Sequence, residues 1–320
     1  MLSRGVVKSA LAAAVLASGA LVAVAGTADA ATAPVRRPAV VARFDLAGGQ
    51  MPENVVADRS GSVDVTFAGA RQVARIGPDG STRVLATLPA PADPAAVTPL
   101  LGFPLTTGLV REGNTFYVLY ATGSTETGVW TFTEGRRPYK IADLPADGLP
   151  NGMARDAATG TLYVTDSAKG VVYAVNRKGR VTIFSDGPEL TSTGFFGVNG
   201  ARIRDGRLYV SNLDRGTILR TPLTGRRAGE FTTIATGLTG IDDFDFTGRG
   251  EQILAGLVTE NRVVLTGEGE GAPAKTVLTE ADGLSNPTSV LVSGGNVYVT
   301  SAAYVTQKNP NLLVARLDRH

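Results

Sequence analysis

One short pattern recurs along this chain at a spacing of about 47 residues, and that spacing restricts the fold more than any other feature. It is clearest in "LPNGMARDAATGTLYVTDS", from Leu149 to Ser167, and in "VNGARIRDGRLYVSN", from Val198 to Asn212. Each has an Asn-Gly, a short apolar stretch, a turn and then Leu-Tyr-Val. Asn199 precedes Tyr209 by ten residues; Asn54 precedes Asp64, Thr107 precedes Tyr117 and Thr288 precedes Tyr298 by the same step. Asn151 precedes Tyr163 by twelve, the excess lying in the turn "RDAATG". A sixth, weaker copy, "IDDFDFTGRGEQILA", is anchored near Asp242.

A period of this length matches one four-stranded propeller blade. Within a unit, "GTLYVTDSAKGVVYAVNRKGRVTIFS" holds three short strands split by Ala-Lys-Gly and Arg-Lys-Gly-Arg turns. The 39 glycines suit many tight turns. No long apolar stretch beyond the first residues has a 3.6-residue period, so helix is expected to be minor. The six units predict an all-β chain, a six-bladed β-propeller of four-stranded antiparallel blades. A β-sandwich is the rival fold, but it does not call for six regular units. "AVVARFDL" (Ala39 to Leu46) has no blade of its own, and "NLLVARLD" (Asn311 to Asp318) comes near the end. The early strand is expected to complete the last blade and remove an exposed edge.

Residues 1–30 read as a secretory signal: Arg4 and Lys8, then "ALAAAVLASGALVAVAG", then the small-x-small site "ADA". An uncleaved membrane anchor is the alternative. Residues 31–38, with "RRP" at Arg36 to Pro38, are expected to be a flexible tail, and 39–320 a single propeller domain. The expected product is secreted, free of the membrane after cleavage, and monomeric. Removing the signal takes Arg4, Lys8 and Asp29, leaving 29 basic and 28 acidic residues, a charge of +1. Such a balance gives no field for nucleic acid, so a small molecule is the expected partner. With no cysteine there are no disulfides, and the core must hold the fold alone.

The only histidine is His320, the last residue of this sequence. A Ser-His-Asp triad, a Cys-His pair or a His-based zinc site is therefore excluded from the interior. The anchors supply different chemistry. The first strand of a propeller blade lines the central channel, so a residue at its start faces the axis, and six copies make a ring. The ring positions carry Glu53/Asn54, Thr107, Asn151, Asn199, Asp242/Asp243 and Thr288, with Asn286 close by. Oxygen donors of this kind suit Ca²⁺, or else Mg²⁺ or Mn²⁺, rather than zinc. The competing explanation is local: Asn, Asp and Thr at a strand entry cap turns, and Asn-Gly favours a turn on its own account.

At these residues the chain resembles the gluconolactonase, regucalcin and luciferin-regenerating-enzyme group of six-bladed propellers, which is itself similar to diisopropylfluorophosphatase. The matching steps are Glu53 in "PENVVAD", Asn151 in "LPNGMARD", Asn199 in "VNGARIRD" and Asp242 in "GIDDFDF". The resemblance implies that these four hold a divalent metal in the channel, Ca²⁺ first among the choices. Two departures stand out. The family's Glu-Gly-Pro step is Glu53-Asn54-Val55 here, and its Asp-Gly step is Asp242-Asp243, so either aspartate can face inward. The "EN" and "DDF" steps also resemble a branch of fungal propellers that includes hetero-Diels–Alderases, which shape a reactive substrate without hydrolysing it.

The expected function is a secreted, metal-dependent hydrolase of lactones or esters. A cation polarises the carbonyl and lowers the pKa of water. In the absence of histidine a carboxylate serves as base, Asp242 or Asp243, since ligation needs only one of them. Asn54, Thr107 and Thr288 at the ring are expected to meet substrate. So are Phe103, Phe195 and Phe196, carried by the connectors "PADPAAVTPLLGFPLTT" and "GPELTSTGFFGV", although each aromatic is equally a packing residue. Two other classes remain open: a metal-free, cyclase-like propeller that works by shape, and a non-enzymatic propeller that binds a protein or ligand.

Overall fold

The computed structural model describes residues 34–318, except 59, 226, 270 and 271. The expected signal, residues 1–30, and His320 lie outside the described residues. Six four-stranded antiparallel sheets follow one another around a central channel. In five of them the chain order is also the spatial order, from the channel outward. The sixth combines both ends of the domain. Its outermost strand is β1 (Val35–Arg43), which pairs with β24 (Asn311–Leu317). The ring is sealed as the early apolar strand implied.

The closing strand begins earlier than expected. Val35 lies opposite Leu317 and is buried, Arg36 pairs with Asp318 at 2.6 Å, and the Asp318 amide donates to the Pro34 carbonyl at 2.9 Å. Residues 35–38 are thus strand, not tail. Arg37 sits at a positive φ of 53° where the register shifts, which lets "RRP" enter a sheet that proline would otherwise interrupt. The only helical pieces among the described residues are two short 3₁₀ turns, Pro188–Leu190 and Glu280–Asp282.

Short alternating strands cannot bury both faces within one blade, so each blade packs on its neighbours. Six apolar cores result, one per blade interface. Tyr163, Phe184 and Leu208 belong to one; Phe116, Trp130 and Phe132 belong to another. A seventh apolar layer crosses one mouth of the channel and draws on every blade: Ala68, Leu105, Leu149, Leu213, Val258 and Ala302 are among its members.

Candidate functional site

The innermost strands are β2 (Pro52–Ala57), β6 (Leu105–Glu112), β10 (Pro150–Arg155), β14 (Val198–Arg204), β18 (Ile241–Phe246) and β22 (Pro287–Ser293). All six break register at the same place, near their start. The residues inside the breaks are the anchors: Glu53-Asn54, Thr107-Gly108, Asn151-Gly152, Asn199-Gly200, Asp242-Asp243 and Thr288. A bulge frees two successive side chains from strict alternation and re-aims them.

A hydroxyl on the second strand completes each of three bulges. The amides of Asn54, Gly152 and Gly200 donate to the hydroxyls of Thr66, Thr165 and Ser211 at 3.0, 2.8 and 2.7 Å. Those hydroxyls donate onward to the next blade, Thr66 to the Thr107 carbonyl at 2.7 Å, Ser211 to that of Asp242 at 2.6 Å, and Thr165 to that of Asn199. One oxygen therefore joins a bulge to the following blade. The blades come so close that a Cβ on Gly152 would lie 2.2 Å from the Asn199 carbonyl oxygen. The glycine of Asn-Gly is thus needed for backbone approach rather than for a turn.

The first residues of these pairs do not all do the same work. Glu53, Asn151 and Asp242 line one cavity of about 20 Å³ at the channel mouth, together with Tyr304 and the apolar Leu101, Leu105, Phe196, Leu213 and Val258. That volume holds a water or an ion, not an organic substrate. Asn199, 1% exposed, neighbours Asp242 without lining the cavity. It favours the ionised form of Asp242, yet neither its amide oxygen nor its nitrogen makes a hydrogen bond of normal geometry. Asp243 turns elsewhere. Its Oδ2 accepts from Arg202 Nη2 at 2.6 Å and from Ser289 Oγ at 2.6 Å. Of the two adjacent aspartates, Asp242 is the one on the cavity.

The apolar layer shapes the electrostatics. Burial pushes the Glu53 carboxyl up to about 7; the Tyr304 hydroxyl, donating to Glu53 Oε2 at 2.7 Å, opposes this, and the charge of Asp243 adds to it. Burial likewise drives Asp242 well above the usual carboxylate range, with help from the charges of Glu53 and Asp243. Burial and the adjacent Glu53 raise the Tyr304 hydroxyl well above its ordinary value. Two carboxyls this close, under apolar cover, resist carrying both negative charges unless a cation joins them.

The donor set fits a hard divalent cation: two carboxyls, two amides, no thiol or imidazole, and an orphaned amide oxygen on Asn199. Among the described residues no three His, Cys, Asp or Glu side chains meet at ligand spacing. Any such centre therefore relies on the neutral oxygens of Asn151 and Asn199 beside the two acids.

The Thr107 hydroxyl donates to the Pro150 carbonyl and that of Thr288 to the Pro52 carbonyl, both at 2.8 Å, so each fastens one blade to the next outside the cavity lining. Asn54 enters through its backbone amide. Phe103 is buried in the apolar layer, and its carbonyl accepts from Thr98 at 3.0 Å. Phe196 lines the cavity, stacked on half-buried Phe195 with centroids 4.1 Å apart. Asn286 bridges the Val258 carbonyl and the amides of Val305 and Thr306, and so holds the segment that presents Tyr304.

Tyr304, Arg202 and the bridging hydroxyls were not singled out in the sequence. The hydroxyls carry a signal that can be read: Thr66, Thr165 and Ser211 each stand two residues after the aligned Asp64, Tyr163 and Tyr209.

The raised Glu53 pKa has a measurable effect on stability. Folded Glu53 keeps its proton up to about 7, whereas the unfolded chain releases it near 4.5. The folded state binds more protons between those values, so stability falls as pH rises through 7 and is whole below 4.5. The cost at pH 8 is about 3 kcal/mol in metal-free protein. Glu53→Gln still offers Tyr304 an acceptor and removes the titration. Calorimetry of chelator-treated protein is expected to show the variant melting about 5–10 °C above wild type at pH 8, and level with it at pH 4. Equal melting at both pH values would refute the raised carboxyl.

No family model matches the chain, and no curated protein matches it. Solved structures do. A luciferin-regenerating enzyme aligns with TM-score 0.63 at 12% identity, over 88% of this chain and 95% of that one. The PQQ-bound aldose sugar dehydrogenase of Streptomyces coelicolor aligns at 0.63 and 11%, over 89% and 100%. Virginiamycin B lyase from Staphylococcus aureus, with quinupristin, aligns at 0.55 and 15%, over 84% and 82%. These likenesses show the propeller fold. They span proteins with different activities, so function has to be argued from the site.

Proposed function

We propose that this chain is an exported, monomeric hydrolase of lactones or esters, with a divalent cation, Ca²⁺ before Mg²⁺ or Mn²⁺, in its central channel. Glu53 and Asp242 supply charge to the cation, and Asn151 and Asn199 supply neutral oxygens. When bound, the cation supplies a positive charge that stabilises the oxyanion developing on a carbonyl. Tyr304 fixes Glu53 Oε2 by its hydrogen bond. Asp243 is engaged by Arg202 and Ser289 and does not line the cavity, so Asp242 would serve as both ligand and base, one carboxylate oxygen for each. The apolar layer excludes water and strengthens each of these interactions.

The observation that carries this reading is two buried carboxyls and the Asn151 amide on one ion-sized cavity, with the unpartnered Asn199 amide beside Asp242. Mass spectrometry of the purified protein is expected to find one equivalent of a divalent metal. Chelation should abolish hydrolysis across a lactone and ester panel, and Ca²⁺ or Mn²⁺ should restore it. Full activity in chelator would exclude this function. A metal-free propeller working by shape is the second reading, favoured by the apolar mouth; finding no metal in active protein would select it.

A further inference from the structure

We propose that the site takes lactones or esters whose substituent is apolar, rather than polyhydroxylated sugar lactones. The inference rests on the hydrolase reading and specifies its substrate class. Outward from the carboxyls, the cavity wall is Leu101, Leu105, Phe196, Leu213 and Val258. Leu46, Leu100, Ala168 and Phe195, partly buried, pack against the same apolar layer. The cavity itself admits only a water or an ion, so the substituent of a substrate has to lie against this apolar layer.

This layer is built into the repeat. Ala68, Leu213, Val258 and Ala302 each directly follow the second strand of their blade, and all four join the layer. The nearby hydroxyls are already committed. Thr98, Thr106 and Ser167 donate to the carbonyls of Phe103, Phe67 and Val198 at 3.0, 3.0 and 2.9 Å. Tyr304 donates to Glu53, and among the described residues no lysine or arginine lines the cavity. A polyol seated here would bury hydroxyls without partners, at about tenfold or more in affinity for each. An alkyl tail would instead gain about 4-fold for each methylene it buries.

The aromatic edge of the mouth is held in place. The backbone amides of Thr193, Gly194, Phe195 and Phe196 all donate to the Asp214 carboxylate, at 2.9, 2.7, 2.7 and 3.2 Å. A carboxylate accepting four successive amides fixes the loop, so Phe195 stands against the apolar layer and Phe196 at the cavity. Asp214 is a positioning residue for this pair.

The test is calorimetric binding to the Ca²⁺-loaded protein of two hydrolytically inert probes. One is a series of δ-lactams with alkyl tails of increasing length; the other is gluconolactam. The alkyl lactams are expected to bind at least about tenfold tighter, gaining about 4-fold per methylene until the apolar layer is covered. Phe195→Ser should cost the long-tailed lactam about tenfold with the melting temperature unchanged. Asp214→Ala should lower its affinity in the same direction. Gluconolactam binding as tightly as the alkyl series, or neither probe binding, overturns the proposal. Alkyl lactams that bind while no lactone or ester is turned over would remove the hydrolase reading and leave the ligand class standing.

Discussion

Gly152→Ala is expected to cost about 3 kcal/mol or more, a fall of roughly 10 °C in melting temperature. The added carbon would meet the Asn199 carbonyl oxygen at 2.2 Å, the Gly200 carbonyl carbon at 2.9 Å and the Ala201 amide nitrogen at 2.9 Å. All three are backbone atoms of the neighbouring inner strand, so no side chain can rotate to make room. Relief requires the two blades to part, which strains the Thr165 bridge from the Gly152 amide to the Asn199 carbonyl. The control is Gly267→Ala. An added carbon there meets nothing within 4 Å, and the backbone has no positive φ. Its melting temperature should stay level or rise slightly. A Gly152→Ala protein that melts with wild type would mean that the inner strands do not approach as described.

That close approach marks the limit of what the repeat reveals. The ten-residue step from anchor to strand, and its recurrence, are enough to place six blades, their inner strands and the closing partnership of the two ends. Alternation and turn residues act locally, so they survive in one dimension. The bulge does not. Asn-Gly is good turn chemistry, and nothing in "LPNGMARD" says that its glycine will face the carbonyl of Asn199, 47 positions on (199 minus 152).

The site follows the same division. Glu53, Asn151 and Asp242 stand at repeat anchors and come together on one cavity, as ring geometry demands. Which aspartate of the Asp242-Asp243 step faces inward depends on Arg202, which is 41 residues away and claims Asp243. Tyr304 reaches Glu53 across 251 residues because closure brings the last blade beside the first. Thr107 and Thr288 share the anchor position but spend their hydroxyls on the next blade's backbone. A constant frame can be inferred from a repeat; the departures within it are settled by neighbours that the repeat does not name.

Asp242→Asn and Asp243→Asn, adjacent and equally conservative in shape, are expected to move stability in opposite directions. Asp242 is a buried acid whose pKa is driven well above normal by desolvation and by two neighbouring carboxyls. At neutral pH the folded state has to hold a proton on this acid that the unfolded chain releases, and an uncharged isostere removes that cost, so the metal-free variant should melt above wild type. Its hydrolytic activity should fall by about a thousandfold, within the range for loss of a general base, and its bound metal should fall with it. Asp243 is different, because its charge has a partner. Neutralising it leaves the Arg202 guanidinium with two backbone carbonyls and, as an ionic partner, Asp245 at 3.9 Å in place of the 2.6 Å pair. Removing one member of a buried pair costs about 3–5 kcal/mol, so this variant should melt well below wild type. Scanning calorimetry in chelator reads the two signs, and metal analysis with a lactone and ester panel reads the rest. If both variants lose stability, Asp242 is a structural acid like its neighbour. If Asp242→Asn keeps its metal and its activity, the cavity at the channel mouth is not where the chemistry happens.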